Sequence, residues 1–372
     1  MSSKLIRSSR ARRRFIGAAL CSVFAPISLQ EAASAVLASS PESQFKDPMD
    51  FPATARANPE RSPLMAVTRA ADRLVAAGMR GLIAVSEDGG RSWMQSASPV
   101  QSDLLDVVFS GASSGWIVGH DGVVLKTDDG GKEWVKRFDG RAAAKILPAS
   151  YNSRLVAGEA ALKPYIDQLA LDYKAGPSLP FLSIWTSPTN ETIAVGAFGL
   201  AIRTVDDGRD WQPILEKFEN PQFLHLNQIV DIGGDLYVAA EKGTIFRRVK
   251  GSDHFSAITT GYGGSFFGLV GGEDMLLAHG LHGTVYRSLD RGDSWSSLST
   301  PLRGTITSST SLAGARFALV SAIGEIAIVS NRGEHVRLLG QGQSGVLTGV
   351  CVDSSHKLVV SGLNGIRTVT VS

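Results

Sequence analysis

Apolar positions along this chain come in short, closely spaced bursts. Leu104 to Ser110, Gly115 to Gly119, Val123 to Thr127 and Glu133 to Phe138 are mostly apolar or alternating, and Gly, Ser and Asp clusters separate them. Such runs between turn-forming residues predict β-strands, because successive strand side chains face opposite sides. The quartet recurs. A glycine opens one strand of every copy, at Gly81, Gly122, Gly199, Gly243, Gly283, Gly324 and Gly365, with spacings of 41, 77, 44, 40, 41 and 41 residues. Seven copies of a four-stranded antiparallel unit predict an all-β fold, a seven-bladed β-propeller over residues 63–372.

The rhythm fails in two places. The spacing of 77 leaves an insertion at 139–180 between the second and third repeats. Within it Leu155, Val156, Leu162, Ile166, Leu169 and Tyr173 recur at helical spacing from Asn152 to Tyr173, before Gly176 and Pro177 end the pattern. A helical insertion is expected, either at the channel mouth as a partner element or merely packed on the blades. The last copy stops after three strands, Val346 to Asp353, Lys357 to Ser361 and Ile366 to Val371. A bare edge is a liability, so the N-terminal segment 36–62 is expected to donate the outer strand of the last blade. Pro48, Pro52 and Pro59 are tolerable on an outer edge.

The first residues read differently. Lys4, Arg7, Arg10, Arg12, Arg13 and Arg14 precede an apolar stretch, Phe15 to Leu29, and the small residues Ala33-Ser34-Ala35. This is the pattern of a secretory signal peptide at 1–35, and Arg12-Arg13-Arg14-Phe15-Ile16 resembles a twin-arginine signal. Export to the periplasm is expected, or to the thylakoid lumen if the host is photosynthetic. Cleavage would leave Cys351 as the single cysteine, so packing rather than a disulfide must hold the fold.

Composition agrees. The chain has 40 glycines in 372 residues and is 43% apolar and 19% charged, which suits a turn-dense protein with a large core. Its net charge of +2 comes from the leader; beyond residue 35 there are 31 basic against 34 acidic residues, which excludes a nucleic-acid footprint.

One motif occurs four times: Ser/Thr-x-Asp-x-Gly-x-x-Trp, at Ser86 to Trp93, Thr127 to Trp134, Thr204 to Trp211 and Ser288 to Trp295. Such an Asp-box suits the turn between the third and fourth strands of a blade. Asp88, Asp129, Asp206 and Asp290 are expected to cap their own turns, and Trp93, Trp134, Trp211 and Trp295 to bury against strands, a structural role that consumes the carboxylates.

The boxes, the signal, and the phrases Ser114-Gly115-Trp116-Ile117-Val118-Gly119 and Gly122-Val123-Val124-Leu125-Lys126-Thr127 together resemble the photosystem II stability/assembly factor family over roughly residues 62–372. The resemblance implies a non-enzymatic propeller that helps assemble membrane complexes. Because relatives occur in bacteria without photosynthesis, an accessory role to a membrane transporter is the alternative form of the same reading.

Asp-boxes also occur in sialidase-like glycoside hydrolases, the rival reading. Their Phe/Tyr-Arg-Ile-Pro motif is absent, the corresponding region being Arg61-Ser62-Pro63-Leu64, and Asp121 and Glu241 fall two blades apart, too far for a retaining carboxylate pair. His279 and His282 lack further ligands at metal spacing, Gly130-Gly131-Lys132 lacks the frame of a phosphate loop, and Cys351 reads as a core residue. No metal, cofactor or catalytic residue is expected.

In a propeller the turns between second and third strands share one face with the blade-to-blade connections, opposite the Asp-boxes. That face would carry Arg80, His120, Phe198, Glu241, Lys242 and His282, and the insertion would add Arg154, Tyr165 and Tyr173. A ring of mixed charge and exposed apolar groups suits protein subunits of a membrane complex. Membrane association would then be indirect, through those partners.

Overall fold

The computed structural model describes residues 47–339 and 345–371, so the expected signal at 1–35 lies outside the described residues. Seven antiparallel sheets follow one another along the chain, each with its strands in sequence order. Blade 1 is Leu64–Ala70, Arg73–Gly78, Ile83–Ser86 and Met94–Gln95; blade 2 is Leu104–Phe109, Gly115–Gly119, Val124–Thr127 and Val135–Phe138. Blades 3, 4, 5 and 6 begin at Phe181, Leu226, Phe266 and Ile306, and blade 7 is Leu347–Val352, Leu358–Gly362 and Gly365–Val369. The expected propeller is therefore present.

Burial explains the apolar pattern. Second strands such as Gly115–Gly119 are buried along their whole length, because neighbouring blades cover both faces, so they read as continuous apolar runs. Outer strands such as Ser256–Thr259 are largely exposed. Apolar clusters straddle the seams: Leu64, Val67 and Leu74 of blade 1 pack with Cys351 and Val359 of blade 7.

Every inner strand carries the same register break after its first residue. Leu64 pairs with Gly78 and Ala66 with Ala77, which skips Met65. Leu105, Leu182, Asn227, Phe267, Thr307 and Thr348 are skipped in the same way. A bulge re-aims the extra side chain, and the seven bulge residues together line one end of the central channel. At the closing seam Thr348 Oγ1 donates to the Leu64 carbonyl at 2.6 Å, joining strands 284 residues apart.

Residues 47–62 do not provide the donated strand. Blade 7 has three strands among the described residues, and the segment instead forms two 3₁₀ turns, Pro48–Asp50 and Pro59–Arg61. Its backbone is engaged with blade 1 and the connection to blade 2: the Ala53 amide donates to the Ser98 carbonyl at 3.0 Å, and the Pro48 carbonyl accepts from the Gln101 amide at 2.7 Å. The physical reason is the prolines, each of which fixes φ and removes a ladder donor. Residues 36–46 of the expected donor lie outside the described residues.

The insertion is helical but is a hairpin, α1 (Gly140–Val156) and α2 (Lys163–Asp172), not one helix from Asn152 to Tyr173. The chain turns at Gly158, whose φ of 110° suits glycine. Asp139 starts α1, its carboxylate accepting from the Arg141 and Ala142 amides at 3.1 Å each. The hairpin packs on the blades: Leu147, Tyr151, Leu162 and Leu169 share a buried cluster with Phe138, Phe181 and Leu215. Tyr151 Oη donates to Glu216 Oε2 at 2.6 Å and accepts from the Leu215 amide at 2.8 Å.

Candidate functional site

The face bearing the Asp-boxes is structurally committed. In blade 1 the Asp88 carboxylate accepts from the Arg91 and Ser92 amides at 2.9 Å each and from the Ser92 hydroxyl at 2.6 Å. Asp129, Asp206 and Asp290 repeat the arrangement with the amides of Glu133, Asp210 and Ser294. Ser294, by its hydroxyl first and its amide second, holds the Asp290 carboxyl down at about 2. The indole N–H of Trp93, Trp134 and Trp295 donates to the carbonyl of Gly90, Gly131 and Gly292 respectively. Trp211 is buried but its Nε1 has no hydrogen-bond partner among the described residues; its ring packs edge-on against Trp116 at 5.8 Å instead.

The opposite face is built from a repeated turn. In blades 1, 2, 3 and 5 a 3₁₀ turn joins the second and third strands with its middle residue left-handed: Arg80, Asp121, Phe198 and His282, at φ of 57°, 58°, 52° and 51°. Lys242 of blade 4 matches them at 53°. For non-glycine residues this costs roughly 1–2 kcal/mol each. The glycine that follows cannot be exchanged: at Gly81, also left-handed, a Cβ would lie 1.8 Å from the Val100 carbonyl oxygen.

The structure gathers some of the expected partner residues and separates others. Phe198 packs against His225 at a tilt, with ring centroids 4.7 Å apart, the His225 amide donates to Glu241 Oε2 at 2.8 Å, and Lys242 Nζ donates to Gln222 Oε1 at 2.5 Å. Next to this group Tyr165 of α2 meets Phe223 edge-on at 5.9 Å. Phe198, Glu241, Lys242 and Tyr165 thus surround the connection between blades 3 and 4. Arg80, His120 and His282 are exposed on other blades. Arg154 is spent on ion pairs, to Glu159 of the hairpin at 2.7 Å and to Glu216 just beyond the last strand of blade 3 at 2.8 Å. Tyr173 is half-buried, and its hydroxyl has no hydrogen-bond partner among the described residues.

At the centre of this face the seven bulge residues surround an opening of about 430 Å³. Below it lies a narrower polar throat of about 200 Å³ that includes Asp106, Ser183, Gln228 and Ser309. Asp106 is the one carboxylate among the described residues lining the throat. Burial raises its carboxyl, although the Ser183 hydroxyl at 2.7 Å and the Ile184 amide at 3.1 Å donate to it. Behind the throat His279 is fully buried, and burial pushes it down to about 4, so it is neutral at physiological pH. Asp121 accepts from the Ser102 hydroxyl at 2.7 Å, and like Glu241 it is engaged in holding its turn.

Residues 85–154 match the family model described as Photosynthesis system II assembly factor YCF48. The chain is a β-propeller similar to the photosystem II assembly factors. A stretch of 48 residues is 46% identical to "Photosystem II stability/assembly factor HCF136, chloroplastic" of Guillardia theta, a match over only 12% of this chain and 12% of that relative's length. The solved structure "YCF48 bound to D1 peptide" superposes with a TM-score of 0.61 at 14% identity, covering 87% of this chain and 100% of that one. Virginiamycin B lyase of Staphylococcus aureus reaches the same TM-score at 12% identity, covering 84% and 96%. At these identities both structures establish the fold alone.

Two features of this assembly-factor-like propeller escaped the motif reading. The bulge ring carries Met, Leu, Leu, Asn, Phe, Thr and Thr, so no shared residue type marks it. A basic residue four positions after the strand-opening glycine in repeats 2–5 does have a sequence signature. Lys126, Arg203, Arg247 and Arg287 reach across the seam to Asp207 at 2.6 Å, Asp253 at 3.0 Å, Asp293 at 2.7 Å and the Arg332 carbonyl at 2.6 Å. They latch consecutive blades on the Asp-box side.

Proposed function

We propose that this chain is an exported, non-enzymatic scaffold that holds a protein subunit of a membrane complex against its turn face. The observation that carries the reading is the asymmetry of the two faces. The Asp-box carboxylates are consumed by their own turns, whereas Met79, Phe198, Ile323 and Leu363 stand exposed on the second-to-third-strand turns of four different blades. Isolated exposed apolar groups are ordinary, but a set on one face around an open channel favours a protein partner. The family match supports an assembly role, and the peptide named in the YCF48 structure supports a segment of a membrane protein as the bound element. In a photosynthetic host the complex would be photosystem II; elsewhere a transporter is the counterpart.

The test is purification of the tagged full chain from native membranes, with mass spectrometry of both the bound proteins and the chain's own N-terminus. A defined membrane subunit should co-purify, the mature chain should begin after Ala35, and Phe198→Ser combined with Lys242→Glu should reduce capture. Absence of a membrane subunit overturns the reading. Turnover of a saccharide, abolished by Asp121→Ala or Glu241→Ala, would replace it with the glycosidase reading.

A further inference from the structure

We infer that the channel opening on the turn face is an anchor for one bulky apolar side chain of an extended, acidic protein segment, an inference that rests on the scaffold reading above. The argument starts from the bulge ring. Three of its members spend their side chains on the next blade: Asn227 Nδ2 donates to the Phe266 carbonyl at 2.7 Å, Thr307 Oγ1 to the Leu347 carbonyl at 2.8 Å, and Thr348 Oγ1 to the Leu64 carbonyl at 2.6 Å. This is a working seam contact, available to any residue with a short polar side chain. Blades 1, 2, 3 and 5 forgo it. They place Met65, Leu105, Leu182 and Phe267 there, all half-buried around the opening. The result is an apolar collar, where the repeat itself offers a polar alternative that would tie the ring together.

The floor of the collar restricts what can enter. Several of its polar groups are already paired: Gln228 Oε1 accepts from the Leu269 amide at 2.7 Å, Ser309 Oγ lies 2.8 Å from His279 Nε2, and Ser183 donates to Asp106. A charged group pushed into the throat would be desolvated, which is costly. An apolar side chain filling the collar loses nothing there and buries the four apolar residues.

Charge around the rim defines the rest of the occupant. The acidic residues on this face, Asp103, Asp121, Glu241 and Glu325, are half-buried and accept hydrogen bonds from neighbouring turns. Asp103 accepts from the Arg80 amide at 2.7 Å, Glu241 from the His225 amide at 2.8 Å, and Glu325 from the Gly304 amide at 3.0 Å. The basic residues Arg80, Lys242, His282 and Arg303 are exposed. The carboxylates keep their charge but are half-buried at their turns, whereas the guanidinium and ammonium groups are exposed, so a segment crossing the collar meets basic groups first, which favours carboxylates flanking the anchored side chain.

The probe is a library of random linear peptides selected on the full chain, with affinities read by fluorescence anisotropy at two salt concentrations. The key variant is Leu105→Thr with Leu182→Thr, which installs the residue type already used in blades 6 and 7 and so preserves folding, checked by its melting temperature. Enriched peptides should carry a Leu, Ile, Phe or Met beside Asp or Glu. They should bind the variant about tenfold or more weakly, as expected for losing a buried apolar contact, and weaken as salt rises. Enrichment of peptides without that signature, equal binding to the variant, or no enrichment overturns the proposal. Concentration-dependent self-association abolished by the variant also overturns it, making a second copy the occupant. If the variant still captures the membrane subunit at the wild-type level, the collar is not the anchor but the scaffold reading stands; if the wild type captures none, that reading fails first.

Discussion

Lys126 Nζ lies 2.6 Å from Asp207 Oδ2, joining the third strand of blade 2 to the Asp-box of blade 3. The lysine side chain is only 2% exposed, whereas Asp207 and its other partner, Asp128, are 41% and 64% exposed. Its ammonium also lies 5.6 Å from the centroid of the Trp116 ring, so one buried charge satisfies two carboxylates and an aromatic face.

Lys126→Met keeps the aliphatic stem but leaves two partly solvated carboxylates near one another. Because those carboxylates remain hydrated, the expected cost is about 1–2 kcal/mol, less than for a fully buried pair. Chemical denaturation measures it. Adding Asp207→Asn should recover part of the loss, and a cycle with no coupling would mean that the latch does not act through charge.

The Asp-boxes give a pH dependence with a definite sign. The folded-state pKa of Asp290 is about 2, below the ordinary value of about 3.9 for an unfolded chain. Its contribution to stability is therefore complete above about pH 4 and is lost as pH falls through about 2. The stability difference between wild type and Asp290→Asn should narrow across that window and be constant from pH 5 to 7. A difference that stays constant down to pH 2 would contradict the role assigned to the carboxylate.

Tyr151 ties the insertion to blade 3. Tyr151→Phe removes the acceptor of the buried Leu215 amide and the donor to Glu216, which should cost about 1–3 kcal/mol. Hydrogen exchange should show faster opening of α1 with little change in blades 5 and 6. Replacing residues 142–177 by a Gly/Ser linker is expected to lower the melting temperature clearly. Loop closure alone is insensitive to length, but excision would uncover Phe138, Phe181 and Leu215.

The architecture was legible because the repeat writes itself in residues of restricted type, glycine at a crowded left-handed position and Trp and Asp in the box. The insertion was legible only as helical. A single spacing from Asn152 to Tyr173 runs across the turn at Gly158, and α1 is Ala-rich with Pro148 inside it, so its first half shows neither a strong apolar stripe nor an uninterrupted helical sequence. The strand expected from residues 36–62 followed from the missing fourth strand of blade 7, but in the described part, 47–62, local proline chemistry decided the outcome. Arg154 and Tyr173 looked available because sequence position does not reveal an ion pair to Glu216 or the packing of Tyr173 against the cluster under the hairpin. The collar was hidden for a different reason: a register break belongs to the pairing of two strands, not to either strand alone.

Ring closure through Thr348 and Leu64 also sets a schedule. The first inner strand emerges from the ribosome 284 residues before its partner hydroxyl, which at common synthesis rates is a delay of roughly 15 to 60 seconds. Throughout that interval Leu64, Val67 and Leu74 lack the Cys351 and Val359 side that covers them in the finished ring. The earliest blade is thus the last to be shielded, and the nascent chain's need for a holding chaperone should be greatest at its oldest end.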